Sequence, residues 1–480
     1  MKAEDTSWLA VLSDWVNLID EYVWGAPLVC AILSVGVALT FALKLRNILS
    51  LKRAFGGIFH PANDRHEGEV SAFGALCTAL SATIGTGNIV GVATAIGTGG
   101  PGALFWMEVA ALFGMATKYA EGLLAVKYRE ITPEGRVLGG PFYYIEKGLG
   151  RKWKWLAIMF AVSGVLAGIM GIGTITQING ITSAVQNFFE PSFNSATVKT
   201  GVSIFGVTYS YSAVIAGLFV TISSALVIIG GIKRIAKVSM VVVPFMAVTY
   251  VLVCLTVLFC NASRIPEALM TIFQAAFNPQ AFTGGAVGTI FIAMQKGIAR
   301  GIFSNEAGLG SAPIAAAAAK TDNPVQQGLV CMTGTFIDTI VICTMTGLAI
   351  VLSGTWDPAL GLAGVDITIA AFSKLLWFLP NGSAIASLFL MLSLSFFAFT
   401  TILGWNYYSE KCLEYIVGSN RIGWLKAFRI LYVMVVFVGP YLTVSLVWNI
   451  ADIFNGLMAL PNLIALTLLM PVVIRESRDL

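Results

Sequence analysis

The sequence predicts an all-α polytopic membrane protein with eleven transmembrane helices, one leading helix followed by two groups of five in opposite orientation. Three observations predict this. Hydrophobic residues make up 57% of the 480 and charged residues only 11%, under half of the roughly 25% usual in soluble domains, so a water-facing surface cannot be built. Apolar runs able to cross about 30 Å of hydrocarbon, roughly 20 residues each, recur eleven times. Basic residues fall on alternate loops. The runs are far longer than barrel strands of about ten residues, and unpaired backbone groups in lipid cost several kcal/mol each, so the spans are helices.

Before the first span, Trp8, Leu12, Trp15, Ile19 and Tyr22 recur every three or four residues while Asp14, Asp20 and Glu21 take other faces. This pattern predicts a short amphipathic helix at the membrane interface. Neither a basic start nor a small-residue cleavage site is clear before the apolar run near Pro27, so the whole chain is expected to be retained. The spans run over 26–45, 70–97, 101–128, 153–188, 210–231, 235–260, 283–310, 324–353, 383–414, 424–448 and 452–474.

Of 29 Lys and Arg residues, 22 lie on loops or the tail of one side, beginning with Lys44, Arg46, Lys52, Arg53 and Arg65. The other side carries Lys2, Lys199, Arg264 and Lys374, and the last three basic residues lie within spans. An excess kept in phase across eleven spans puts the N-terminus outside and the C-terminus in the cytoplasm. A net charge of +4 placed this way does not suggest nucleic-acid binding. The seven cysteines form no C-x-x-C pair, and His60 and His66 share one polar loop, so neither a disulfide framework nor a zinc site is expected.

The second span contains Ser81-Ala-Thr-Ile-Gly85-Thr-Gly87-Asn88, and the seventh contains Gly297, Gly301, Gly308 and Gly310. Glycine costs about 1 kcal/mol relative to Ala in a helix, so both spans are expected to break near mid-membrane. Five helices from the first break (70–260) and five from the second (261–480) follow a leading segment (1–69). An odd number per group inverts the second relative to the first, the arrangement of secondary transporters.

A half-helix starting at Asn88 would aim backbone N–H groups and a positive dipole end at a carboxylate, while the carbonyls of 81–84 would suit a small hard cation. Close helix packing is the alternative use of Gly85 and Gly87. In the ninth span Thr401 and Trp405 share a face and could line one wall, with Thr400 one step around offering its oxygen to the cation. Back-bonding threonines and an interfacial tryptophan are the competing account. Gln177, in the amide-rich patch of the fourth span, either reaches a substrate's polar end or joins helices.

Ionisable residues within spans are Glu108, Lys118, Glu121, Lys296, Arg300, Glu306 and Asp338. Lys118, Glu121, Arg300 and Glu306 are expected toward the cytoplasmic end, in gates or structural ion pairs. Asp338 has apolar neighbours and no counter-charge beside it. An ion channel lacks a filter motif here, and an intramembrane enzyme lacks a dyad or metal set.

The runs Ser81 to Gly91, Gly301 to Ile314 and Gly404 to Tyr408 resemble the alanine/glycine:cation symporter family, and the resemblance extends over nearly the whole chain. It implies the LeuT-type fold and sodium- or proton-coupled import of small amino acids through a prokaryotic inner membrane. It further implies that Gly85, Thr86, Gly87 and Asn88 hold the substrate carboxylate, with Gln177, Thr401, Trp405, Phe291 and Gln295 in the pocket. Sodium would lie between the carbonyls of Ser81 and Ile84 and the hydroxyls of Thr400 and Thr401. One departure is Ala315 to Ala319, where many members have His.

Overall fold

Long apolar runs become helices throughout the computed structural model, which describes residues 8–59, 67–193, 200–204, 207–277, 288–442, 444–478 and 480. His60 and His66 lie outside the described residues. An amphipathic α1 (Trp8–Val23) leads into α2 (Ala26–Ala42). The second span is α3 (Ala72–Thr83) and α4 (Val90–Gly99), the third α5 (Gly102–Lys127), and the fourth α6 (Lys154–Met170) with α7 (Ile175–Phe189). Then come α8 (Tyr211–Ile228), α9 (Gly231–Cys260) and α10 (Ile265–Phe277). The seventh span is α11 (Gly288–Asn305), an unwound stretch and α12 (Ala312–Ala316). The eighth runs from α13 (Pro324–Thr335) through a π-helical stretch, Phe336–Cys343, into α14 (Thr344–Ser353). A short α15 (Val365–Leu375) precedes α16 (Gly382–Val417), α17 (Ile422–Val438) and α18 (Val444–Glu476).

Nine helical stretches among the described residues are long and apolar enough to cross a membrane. The two expected spans absent from that set are the second, split into α3 and α4, and the seventh. The second breaks where its glycines lie. The seventh breaks only at its second pair of glycines: α11 continues through Gly297 and Gly301 and unwinds from Glu306 across Gly308 and Gly310. The first pair instead lets α11 press on α5, since a Cβ on Gly297 would run into the Ala103 carbonyl and one on Gly301 would stand 3.0 Å from Met107 Cγ.

A third interruption, which the sequence reading did not anticipate, separates α6 from α7. Gly171 leaves the helix there (φ −160°, ψ −92°); a Cβ on it would overlap Ala451, and one on Gly173 would sit 2.6 Å from Trp405 Cβ. The freed carbonyls are satisfied by side chains: Tyr432 donates to Gly173 O at 2.7 Å, and Thr176 to Gly171 O at 3.0 Å.

On the basic side the two interrupted spans are tied together. Val70, just before α3, pairs with the stretch after α12: Val70 N donates to Ala318 O at 3.1 Å and Lys320 N to Val70 O at 2.7 Å. Arg129 closes the same seam by donating to the carbonyls of Ala317, Ala319 and Thr321.

Candidate functional site

The chain leaves α3 at Ile84 (φ −76°, ψ 94°), is extended at Gly85 (φ −141°, ψ −152°), and makes one 3-10 turn over Thr86–Asn88 before α4 begins. Asn88 organises the turn. Its Oδ1 accepts the Gly85 N–H at 2.9 Å, and its Nδ2 donates to Asp338 Oδ1 at 2.8 Å. One side chain therefore closes the break and fastens it to the eighth span.

Two other helices converge on this turn. A Cβ on Gly85 would stand 2.6 Å from Thr401 Oγ1 and 3.6 Å from Gln177 Oε1, and one on Gly180, a turn along α7, would meet Thr86 Cγ2 at 2.9 Å. Thr86 Oγ1 and Gln177 Oε1 are both buried without a hydrogen-bond partner. Buried polar atoms are nearly always paired, so two such atoms bordering one glycine offer a donor and an acceptor to a polar partner, water or ligand. The Gln177 amide is held in position by donating from Nε2 to Ile172 O at 3.0 Å. A hydroxyl able to donate and a carbonyl oxygen able to accept suit a carboxylate and an ammonium.

Of the residues expected around a cation, Ile84 and Thr401 meet: the Thr401 hydroxyl lies 3.4 Å from Ile84 O while donating to Phe397 O at 3.0 Å. Ser81 lies beside them, since a Cβ on Gly404 would be 2.8 Å from its Oγ. Thr400 is turned away. It donates to Phe397 O at 2.9 Å and faces Met246 Sδ on α9 at 3.7 Å, because neighbouring residues on a helix point about 100° apart.

Trp405 is 1% exposed and lies one turn past Thr401. Its Nε1–H donates to Glu306 Oε1 at 2.9 Å, and Glu306 Oε2 accepts from the Ser311 hydroxyl at 2.5 Å. Glu306 (φ +57°) opens the unwound stretch after α11, where Gly308 (φ +90°) and Gly310 (φ +82°) also adopt left-handed backbone. Glu306, expected in a gate or ion pair, thus ties the Trp405 indole to the seventh span. Replacing it with Ala should lower thermal stability by leaving the buried indole and Ser311 unpaired, whereas Glu306→Gln, which keeps an acceptor for the indole, should lower it less. Thermal unfolding of the purified variants measures this, and equal stability in both would dismiss the anchor.

Asp338 is the residue whose importance the tertiary structure raises most. Fully buried within the π-helical stretch, it accepts from Asn88, from Ser304 Oγ at 2.9 Å and from Thr339 Oγ1 at 2.8 Å; Asn305 donates to that threonine at 3.0 Å. One carboxylate therefore gathers donors from both interrupted spans. Its isolation among apolar neighbours was the only local sign, since Asn88 lies 250 residues away. π-helical insertions frequently mark functional positions.

The structure does not bring Phe291 or Gln295 to this cluster. Phe291 is 62% exposed, and Gln295 lines a separate cavity with Arg300 and Asp452. Because α11 unwinds only at Glu306, its last turn adjoins the break: a Cβ on Gly87 would sit 3.5 Å from the Phe303 ring and 3.3 Å from Ser304 Cα. Arg300, expected toward the cytoplasmic end, lies instead on the α1 side, 3.9 Å from Asp452.

Residues 9–480 match the family model described as the sodium:alanine symporter family. An uncharacterized transporter of Haemophilus influenzae is 50% identical over 97% of this chain and 95% of its own. The sodium/alanine symporter AgcS of Methanococcus maripaludis is 47% identical over 96% of each. The crystal structure of MhsT in complex with L-phenylalanine, 14% identical, matches the fold with a TM-score of 0.56 over 86% of this chain and 98% of that one.

Proposed function

Because the chain belongs to the sodium:alanine symporter family, we propose that it imports alanine and glycine by symport with sodium, through alternating access about the Gly85 break. It is a multi-pass membrane protein of a transporter family, not of an enzyme family. The observation that carries the proposal is the pair of orphaned atoms, Thr86 Oγ1 and Gln177 Oε1, bordering Gly85. The substrate carboxylate sits at Gly85, Thr86, Gly87 and Asn88, where Thr86 donates, and its ammonium donates to Gln177. Trp405 limits the side chain. A methylene is worth only about 1–3 kcal/mol in such a pocket, so alanine, glycine and serine overlap.

Sodium binds at oxygens from Ser81, Ile84 and Thr401, as a hard cation prefers; Thr400 joins only if its hydroxyl turns from Met246. The eleven helices form a LeuT-type 5+5 inverted repeat behind one extra helix, in the cell (inner) membrane with the N-terminus outside. The two interrupted spans and the fold shared with MhsT support this arrangement. Release to the cytoplasm then requires opening the Val70–Ala318 seam that Arg129 clasps.

Uptake of labelled alanine into sealed vesicles, with and without an inward sodium gradient, tests the reading; flux that ignores the gradient or does not saturate defeats it. Thr401→Ala should raise the sodium concentration for half-maximal uptake several-fold, as a lost oxygen ligand would. One observation favours protons as the second reading: the donors on Asp338 are all neutral. Uptake driven by a pH gradient without sodium would select it.

A further inference from the structure

Seven basic residues lie between the end of α5 and the start of α6, and the first four are engaged within the protein. Lys127 meets Glu476 at 3.0 Å, Arg129 clasps the Val70–Ala318 seam, Arg136 meets Glu414 at 3.2 Å, and Lys147 pairs with Glu130. Arg151 and Lys152 are exposed and make no ion pair among the described residues, and Lys154, its side chain 57% exposed, stands 3.4 Å from Glu146. Trp153 and Trp155 are interleaved with them, their ring centres 6.4 Å apart and their planes within 22° of parallel. From Trp155, 60% exposed, the uncovered face of α6 continues through Ile158, Val162 and Met170, while Leu156, Ala157, Phe160 and Gly164 are buried. At 1.5 Å per residue that apolar face runs for about 22 Å, so it faces hydrocarbon, and Trp155 marks its edge. The three cations therefore lie at headgroup depth.

We propose that Arg151, Lys152 and Lys154, with Trp153 and Trp155, form a docking site for the headgroup of an anionic phospholipid. Charge complementarity names the occupant, because three cations answer to one paired acid, Glu146, and leave a surplus of two for a phosphodiester. The Arg151 guanidinium offers paired N–H donors to phosphate oxygens, and lysine adds a point charge. Indole rings suit the boundary between headgroup and acyl chain, where one edge is apolar and the other wet. The acyl chains would follow Ile158 and Val162 along α6. A free phosphate would use the cations but leave the tryptophans and the apolar face without a part. On its opposite side α6 meets the helix that carries Trp405: Ser409 donates to Gly164 O at 3.2 Å, and a Cβ on Gly168 would collide with Ser409 Oγ. A headgroup held at the start of α6 would brace the span behind that indole. The inference concerns the lipid-facing side of one helix and does not depend on which substrate or ion is carried.

The test is native mass spectrometry of the full-length protein in detergent, titrated with phosphatidylglycerol or phosphatidylcholine. The wild type should bind phosphatidylglycerol about tenfold more tightly or better. Each basic residue near an anionic lipid contributes roughly fivefold in affinity, so Arg151→Gln combined with Lys152→Gln should weaken phosphatidylglycerol about tenfold or more. Lys233→Gln combined with Lys237→Gln removes the same charge from exposed positions on α9 and should change it little. Trp155→Leu keeps every charge and should weaken it severalfold. All five positions are exposed, so the variants keep the fold. Equal loss in the two double variants would reduce the effect to overall charge and overturn the site. Displacement of the lipid by inorganic phosphate would assign the corner to a free anion and overturn it as well, as would a wild type that binds both lipids equally.

Discussion

Gly85→Ala should lower alanine uptake about ten- to hundredfold while the protein remains folded and in the membrane. The added methyl would stand 2.6 Å from Thr401 Oγ1 on α16 and 3.6 Å from Gln177 Oε1. Overpacking of this kind costs about 1–3 kcal/mol, and each 1.4 kcal/mol is a factor of ten in binding. Backbone strain does not contribute, because φ at Gly85 is −141°, extended backbone that any residue adopts. Uptake per molecule, normalised to the protein recovered, measures the effect. Wild-type uptake by the variant would mean that no substrate passes this glycine.

Asp338→Leu should abolish transport and lower thermal stability, while Asp338→Asn should fold but lose its normal dependence on the driving ion. In the leucine variant Asn88, Ser304 and Thr339 lose their shared acceptor, and a buried donor left unpaired costs about 1–3 kcal/mol. Asn keeps the size and one acceptor oxygen, so the two interrupted spans stay joined while the charge is gone. Thermal unfolding of the purified protein separates the two variants, and vesicle uptake at varied sodium and pH reads the function. Wild-type ion dependence in Asp338→Asn would assign this carboxylate to architecture alone.

The break in the second span was legible because Gly85 and Gly87 crowd an apolar run beside Asn88, and the neighbouring placement of Thr401 and Trp405 because residues four apart share a helix face. Thr400 faces Met246 for the same geometric reason: the residue beside Thr401 points to another helix. In the seventh span glycine density was ambiguous. Gly297 and Gly301 serve close packing on α5, and the unwinding falls at Glu306, which brings Phe303 and Ser304, not Phe291 and Gln295, beside the Gly87 break. The interruption between α6 and α7 had a signal in Gly168, Gly171 and Gly173. Its meaning depended on Trp405 and Tyr432 approaching from helices more than 200 residues away.

Composition, span length and the side on which lysine and arginine fall are properties of the chain read locally, because lipid imposes the same demand on every segment that crosses it. They determined a helical, multi-pass protein with interruptions where glycine gathers. Tertiary structure alone decided that Asp338 would join both interrupted spans, that Glu306 would hold the Trp405 indole, and that Asp20 and Asp452 would share a cavity with Arg300. A buried polar group takes whichever partner the packed helices bring within about 3 Å, and that partner's distance along the chain leaves no mark on the residues beside it.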